Sequence, residues 1–111
     1  MRVFLDENVD PALESALGEH VVESVRSRGW FGVSNGELID RIEADFDVFI
    51  SHDQGLAHQQ NWAKRELGLV ILLADSTSFE SYSEAVGSLQ EVLTLLTLVP
   101  RGVHYCEMRS L

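Results

Sequence analysis

The chain alternates short apolar runs with polar segments of helical periodicity, and its clearest apolar runs end in clusters of polar residues. Arg2 to Leu5 is the first run, and it stops abruptly at Asp6, Glu7 and Asn8. This predicts a strand that delivers polar groups at its C-terminal end. Asp10 and Pro11 then signal a helix start, with Asp10 as the cap and Pro11 at the first helical position. Leu13, Ala16 and Leu17 form its apolar stripe and Gly18 ends it. His20 to Val25 is a second β-branched run, and the following Arg26-Ser27-Arg28-Gly29-Trp30-Phe31-Gly32 reads as a loop because of its glycines.

Ser34 and Glu37 have capping-box spacing ahead of Leu38, Ile39 and Ile42, so a second helix is expected from near Asn35. Asp47 to Ser51 holds Val48, Phe49 and Ile50 in succession, the pattern of a strand covered on both faces. His52 and Asp53 stand at its C-terminal end. A weakly helical polar segment around His58 to Glu66 leads into Gly68 to Ala74, the most apolar run and the expected central strand. Thr77 and Glu80 make another capping box that opens the longest helix, with Phe79, Tyr82, Val86, Leu89, Leu93 and Leu96 along its stripe and Val92 and Leu95 widening it. Pro100 and Gly102 stop that helix, and Val103 to Met108 is expected as a final strand at the sheet edge. The alternation predicts the α/β class: a three-layer open, mostly parallel sheet with right-handed crossovers and helices on both faces, in one domain over residues 1–111.

Composition narrows the chemistry. An apolar share of 45% over 111 residues supports a core without staples. The longest apolar runs fall far short of the roughly 20 residues a membrane span needs, and no charged, apolar leader opens the chain, so a cytoplasmic protein with no membrane association is expected. Cys106 is the single cysteine, which excludes an intramolecular disulfide and a thiolate cage within one chain. A metal would be held by oxygen or imidazole. The net charge of −10, with only Lys64 and seven arginines on the basic side, weighs against conventional phosphate-backbone binding. It fits a cation site, a basic partner or solubility equally well.

In an open α/β sheet, ligands bind outside the carboxyl ends of the strands where strand order reverses. Asp6 and Asp53 are placed at that edge, and Glu37 joins them if the start of its helix faces the same way. Each also has a purely structural role open to it: Asp6 and Asp53 as helix caps or turn formers, Glu37 as the reciprocal half of its capping box. Clustered carboxylates repel unless protonated or bridged by a cation. Mg²⁺ or Mn²⁺ suits oxygen ligands and keeps waters, one of which can be activated against a phosphodiester. His52 is a candidate ligand or proton shuttle beside Asp53, against the plainer role of a hydrogen-bonded strand-end histidine. Arg26, Arg28, Trp30 and Phe31 combine charge with stacking surface, as contact with single-stranded RNA would use. Lys64 and Arg65 are a second candidate phosphate contact. The alternative is that the aromatics pack under the loop and the arginines pair with some of the 18 acids.

Phe4-Leu5-Asp6-Glu7-Asn8, Gly32-Val33-Ser34-Asn35-Gly36-Glu37-Leu38-Ile39 and Phe49-Ile50-Ser51-His52-Asp53 together resemble, in order and separation, the three signature segments of small prokaryotic PIN-like proteins. The resemblance spans most of the chain up to the strand at Val70 to Leu73. PIN domains include metal-dependent ribonucleases, among them the toxins of VapBC-type toxin–antitoxin pairs. The resemblance implies Asp6, Glu37 and Asp53 as catalytic metal ligands for Mg²⁺ or Mn²⁺, with Asn8 ordering the site and Ser51 matching the hydroxyl residue two places before the third acid. It implies an RNA substrate and an antitoxin partner. The apolar stripe of the last helix is most simply core packing against the sheet, and its width leaves part of it for an antitoxin helix or a homodimer. The sequence departs from the pattern where Asn35 and Gly55 stand in place of acids.

Two other functions follow from the same residues. Loss of two carboxylates fits a PIN-like binding module without turnover. Asp6 with Glu7, followed by Asp53, also has the layout of a receiver-type phosphoacceptor domain, although Pro100 is followed by Arg101 where receivers carry a Lys and the Ser34 to Glu37 segment has no receiver counterpart.

Overall fold

The computed structural model describes residues 1–74, 90–91, 93–94 and 102–108. Five strands form one sheet: β1 (Arg2–Leu5), β2 (Val21–Ser24), β3 (Val48–Ser51), β4 (Gly68–Ala74) and β5 (Val103–Met108), in the order β2-β1-β3-β4-β5. Every pairing is parallel. The molecule is therefore an α/β protein with an all-parallel sheet. β4 lies inside the sheet and β5 at its edge, as the apolar runs predict.

Strand alternation divides the core in two. Val3, Leu5, Val48, Ile50, Val70 and Leu72 face one way, packed with Leu13, Leu17, Leu93 and Cys106. Phe4, Phe49, Leu69 and Ile71 face the other way, packed with Leu38, Ile39, Ile42, Leu56 and Trp62. Because both faces are covered, the strand interiors read as continuous apolar runs rather than alternating ones. Phe4 anchors the second cluster, edge-on to Phe46 at 5.1 Å and tilted against Trp30 at 5.9 Å between centroids.

The connecting helices are shorter than the periodicity suggests. α1 covers only Leu13–Ala16, with Ala12 rather than Asp10 at its N-cap. Asp10 instead accepts the Ala12 N–H at 2.9 Å and makes a turn ahead of the helix. The helix has already ended at Ala16, before Gly18. The second apolar run also ends early, at Ser24, and the segment read as an open loop begins with a single helical turn, α2 (Val25–Arg28). Ser24 and Ser27 close a reciprocal capping box there, and Gly29 ends the turn at φ 68°. Two serines three apart were enough to override the nearby glycines.

α3 (Asn35–Ile42) starts where expected, with Ser34 as N-cap, and buries Leu38, Ile39 and Ile42. Glu37 does not return to the cap; its carboxylate takes Arg41 one turn on, at 2.9 Å. The polar segment before β4 holds α4 (Leu56–Gln59), which starts two residues earlier than expected, and a 3₁₀ turn at Trp62–Lys64. The Thr77 to Glu80 capping box and most of the last helix fall outside the described residues. Within them, Gln90, Glu91, Leu93 and Thr94 are helical and Leu93 is fully buried. No helix among the described residues is long and apolar enough to cross a membrane.

Candidate functional site

β1 is flanked by β2 on one side and β3 on the other, so the strand order changes direction between β1 and β3. That is where open parallel sheets leave a crevice at their carboxyl edge. Leu5 is paired with Ile50, and the Asp6 N–H extends the ladder by donating to the Ile50 carbonyl at 2.9 Å. Asp6 therefore arrives beside Ser51.

Ser51 is the hub of this edge and is fully buried. Its hydroxyl donates to Asp6 Oδ2 at 2.7 Å and accepts the Asp53 N–H at 3.0 Å and Asn8 Nδ2 at 3.3 Å. Asn8 Oδ1 accepts the His52 N–H at 3.1 Å, so the loop after β1 is tied to the loop after β3. Asp53 Oδ1 accepts the Gly55 N–H at 2.9 Å, a turn that leads into α4. Asp53 Oδ2 receives Asn35 Nδ2 at 3.4 Å, and the same amide nitrogen lies 3.4 Å from Gln59 Oε1. The start of α3 thus faces the acidic edge, as the placement of Glu37 required, but the residue that touches Asp53 is Asn35.

Asp6 is only 7% exposed. Burial pushes its carboxyl above the ordinary value of 3.8; the hydrogen bonds from Ser51 and the Glu7 N–H oppose the rise, and the charges of Glu7 and Asp53 add to it. A carboxyl raised by desolvation at a strand end is a candidate functional acid, and buried structural acids are shifted in the same way. His52 shifts the other way, burial disfavouring its charged form. Its Nδ1 lies 3.1 Å from the Leu72 carbonyl, so Nδ1 carries the proton and donates.

Glu37 stands apart. Its side chain is 58% exposed and paired with Arg41. Arg41 in turn lies 5.0 Å over the Trp30 ring, which also carries Arg28 at 5.2 Å. Among the described residues no group of three or more His, Cys, Asp or Glu side chains gathers to hold a metal. Two residues that the sequence did not single out belong to the arrangement. Gln59 reaches the site across Gly55, where a Cβ would sit 3.4 Å from Gln59 Nε2 and 3.1 Å from Asp53 Oδ1. Arg41 was discoverable from its i,i+4 spacing to Glu37; Gln59 is brought in by tertiary structure alone.

The proposed RNA-contact residues divide similarly. Arg28 is committed to Glu23 through two bonds at 2.8 and 2.9 Å, which holds the Glu23 carboxyl below its usual range. Trp30 is half-buried between Phe4 and the two guanidinium groups. Arg26, beside the 56% exposed Phe31, is the more open member of the set. Arg65 is tied to Asp40, Glu43 and Gln60.

The donor set can be tested against a divalent ion. Asp6 and Asp53 each accept one protein donor per oxygen, which leaves acceptor capacity on both carboxylates. Their oxygens are the hard donors that Mg²⁺ or Mn²⁺ takes, and two carboxylates do not make a closed cage. No family model, curated protein or solved structure matches the chain.

Proposed function

We propose that the chain is a PIN-like, Mg²⁺- or Mn²⁺-dependent ribonuclease with helices layered on both sides of its sheet, of the kind that serves as the toxin of a toxin–antitoxin pair. The observation that carries this reading is the pair Asp6 and Asp53, joined through buried Ser51 at the β1/β3 edge. Asp6 and Asp53 would hold the ion, and Glu37 would join by leaving Arg41. The bound ion supplies Lewis-acid activation of water for attack on a phosphodiester.

The chain's own residues do the positioning. Ser51 fixes the Asp6 carboxylate, the Gly55 N–H and Asn35 fix Asp53, and Asn8 locks the two loops together. His52 is anchored beside the acids through Nδ1. Arg26 and Phe31 offer a phosphate contact and a stacking face. The test is cleavage of single-stranded RNA by the purified protein with Mn²⁺, abolished in Asp6→Asn and Asp53→Asn. A clean preparation that leaves RNA intact with Mn²⁺ sinks the nuclease reading.

A second reading is favoured by the Glu37–Arg41 pair and by Asn35 and Gly55 standing where further acids would be. On it the same edge binds a cation and a ligand without turnover. Mn²⁺ binding in calorimetry combined with no RNA cleavage identifies this case.

A further inference from the structure

The first turn of α3 is closed by the Leu38 N–H, which donates to the Ser34 carbonyl at 2.9 Å, but its side-chain cap is long. Ser34 caps it by accepting the Glu37 N–H at 3.5 Å, longer than the roughly 2.7–3.2 Å of a good N–H···O bond. The Glu37 carboxylate, which would close the cap in return, lies on Arg41 instead. The Gly36 N–H falls in the first turn, where the helix itself provides no acceptor. Helix ends open more readily than helix interiors.

Asn35 and Gly36 occupy that turn. Outside its own helix, a Cβ built at Gly36 would meet only Gln60 Nε2, at an ordinary contact distance of 3.8 Å. The Asn35 carboxamide is held by two long contacts of 3.4 Å, to Asp53 Oδ2 and Gln59 Oε1. An asparagine followed by glycine has the least steric protection against its own succinimide chemistry, and here the pair opens a helix at its first two positions.

We propose that Asn35–Gly36 is a self-modifying site whose deamidation replaces the amide donor beside Asp53 with a carboxylate. When the first turn opens, the Gly36 backbone nitrogen bonds to Asn35 Cγ and gives up its proton. The Cγ–Nδ2 bond breaks and Nδ2 leaves as ammonia. Water then opens the ring at either carbonyl, leaving an aspartate or an isoaspartate at position 35. One water enters and one ammonia leaves, with no change of oxidation state.

The consequence follows from the contact that changes. At 3.4 Å from Asp53, an amide donor becomes a second carboxylate, and the two repel unless a cation or proton lies between them. An aspartate there also complements the helix N-terminus, so the aspartate product keeps α3 in place. An isoaspartate adds a backbone carbon and loosens the first turn. The modification stands on its own; its effect on the site rests on the cation-binding reading given above.

The experiment holds the folded protein at mildly alkaline pH and physiological temperature over days and follows residue 35 by peptide mass mapping. The expected result is the mass gain of an amide-to-acid conversion at residue 35, lost in Gly36→Ala. In parallel, Mn²⁺ alone is titrated into wild-type protein and Asn35→Asp, with roughly tenfold tighter binding expected for the variant from its added ligand charge. A residue 35 that stays unchanged in the folded protein, while the urea-unfolded chain converts, overturns the modification. Equal Mn²⁺ affinities for wild type and Asn35→Asp overturn its proposed effect. Conversion at residue 35 with no Mn²⁺ binding by either form upholds the modification and removes the cation-binding reading instead.

Discussion

The Ser51 hydroxyl lies 2.7 Å from Asp6 Oδ2 and at the same time accepts the Asp53 N–H at 3.0 Å. One buried side chain therefore sets the position of both acids at the carboxyl edge. Removing it strips a donor from a buried carboxylate and an acceptor from a backbone N–H. Ser51→Ala is expected to cost about 1–3 kcal/mol, the usual price of leaving buried polar groups unpaired. Urea unfolding at neutral pH reads the loss, and Ser51→Thr, which keeps the hydroxyl, should recover most of it. An alanine variant as stable as the wild type would mean that the hydroxyl contributes nothing to holding the edge together.

Asp6 gives a pH dependence whose sign is fixed by its burial. Its folded-state pKa lies above the ordinary 3.8, so between those two values the folded protein binds more protons than the unfolded chain. Stability from this group is complete below 3.8 and is lost as pH rises through the folded value. Asp6→Asn removes the penalty at neutral pH, and the Ser51 hydroxyl can turn to Asn8 Oδ1, 3.5 Å away. The variant should be more stable than wild type at pH 7, with the difference vanishing in acid below 3.8. Paired urea melts across the pH range check this; a variant less stable at pH 7 refutes it.

Much of this edge was legible in the sequence, for physical reasons. A run such as Phe4-Leu5-Asp6 or Ile50-Ser51-His52-Asp53 changes from apolar to polar within one residue, and the strand ends at that change in β1 and one residue past it in β3. β1, β4 and β5 start and stop at the predicted residues. The helices were harder because their ends are set by single side chains. Asp10 turned to the Ala12 N–H rather than capping, and Ser24 with Ser27 built a turn in a segment read as loop. Glu37 satisfied two patterns at once, a capping box and an i,i+4 pair, and sequence could not choose between them. In the structure the charged partner Arg41 has it.

Trp62 offers a test of the packing behind the site. Its indole N–H donates to the Leu56 carbonyl at 2.8 Å, which joins the 3₁₀ turn to α4 just beyond Gly55. Trp62→Phe keeps much of the ring volume and removes the donor. The expected loss is about 1–3 kcal/mol for the unpaired carbonyl, with any cavity adding to it. Unfolding followed by far-ultraviolet circular dichroism measures it without relying on tryptophan emission.

The arginine loop separates structure from binding. Arg28 is doubly bonded to Glu23 and lies over Trp30, so Arg28→Ala should lower the melting temperature. Arg26, stacked near exposed Phe31, should affect RNA retention instead, with Arg26→Ala reducing the salt slope of binding by about 1. If RNA binding is measurable and Arg26→Ala leaves both affinity and salt slope unchanged, this loop is not the RNA contact.

Glu37 decides whether the site has two acids or three. Its pair with Arg41 joins two well-exposed side chains at i,i+4, an arrangement worth only about 0.3–0.5 kcal/mol. On the proposed metal-bound state, a pair this weak would give way if the Glu37 carboxylate joined Asp6 and Asp53 as a ligand. Arg41→Gln should therefore change Mn²⁺ affinity by no more than about twofold, the equivalent of the pair's own energy. Glu37→Gln should weaken Mn²⁺ binding by roughly tenfold if the side chain swings in, through loss of a charged ligand. Calorimetric titrations of the two variants side by side make the distinction. Unaltered Mn²⁺ affinity in Glu37→Gln leaves Asp6 and Asp53 as the whole carboxylate set and confines Glu37 to the surface of α3.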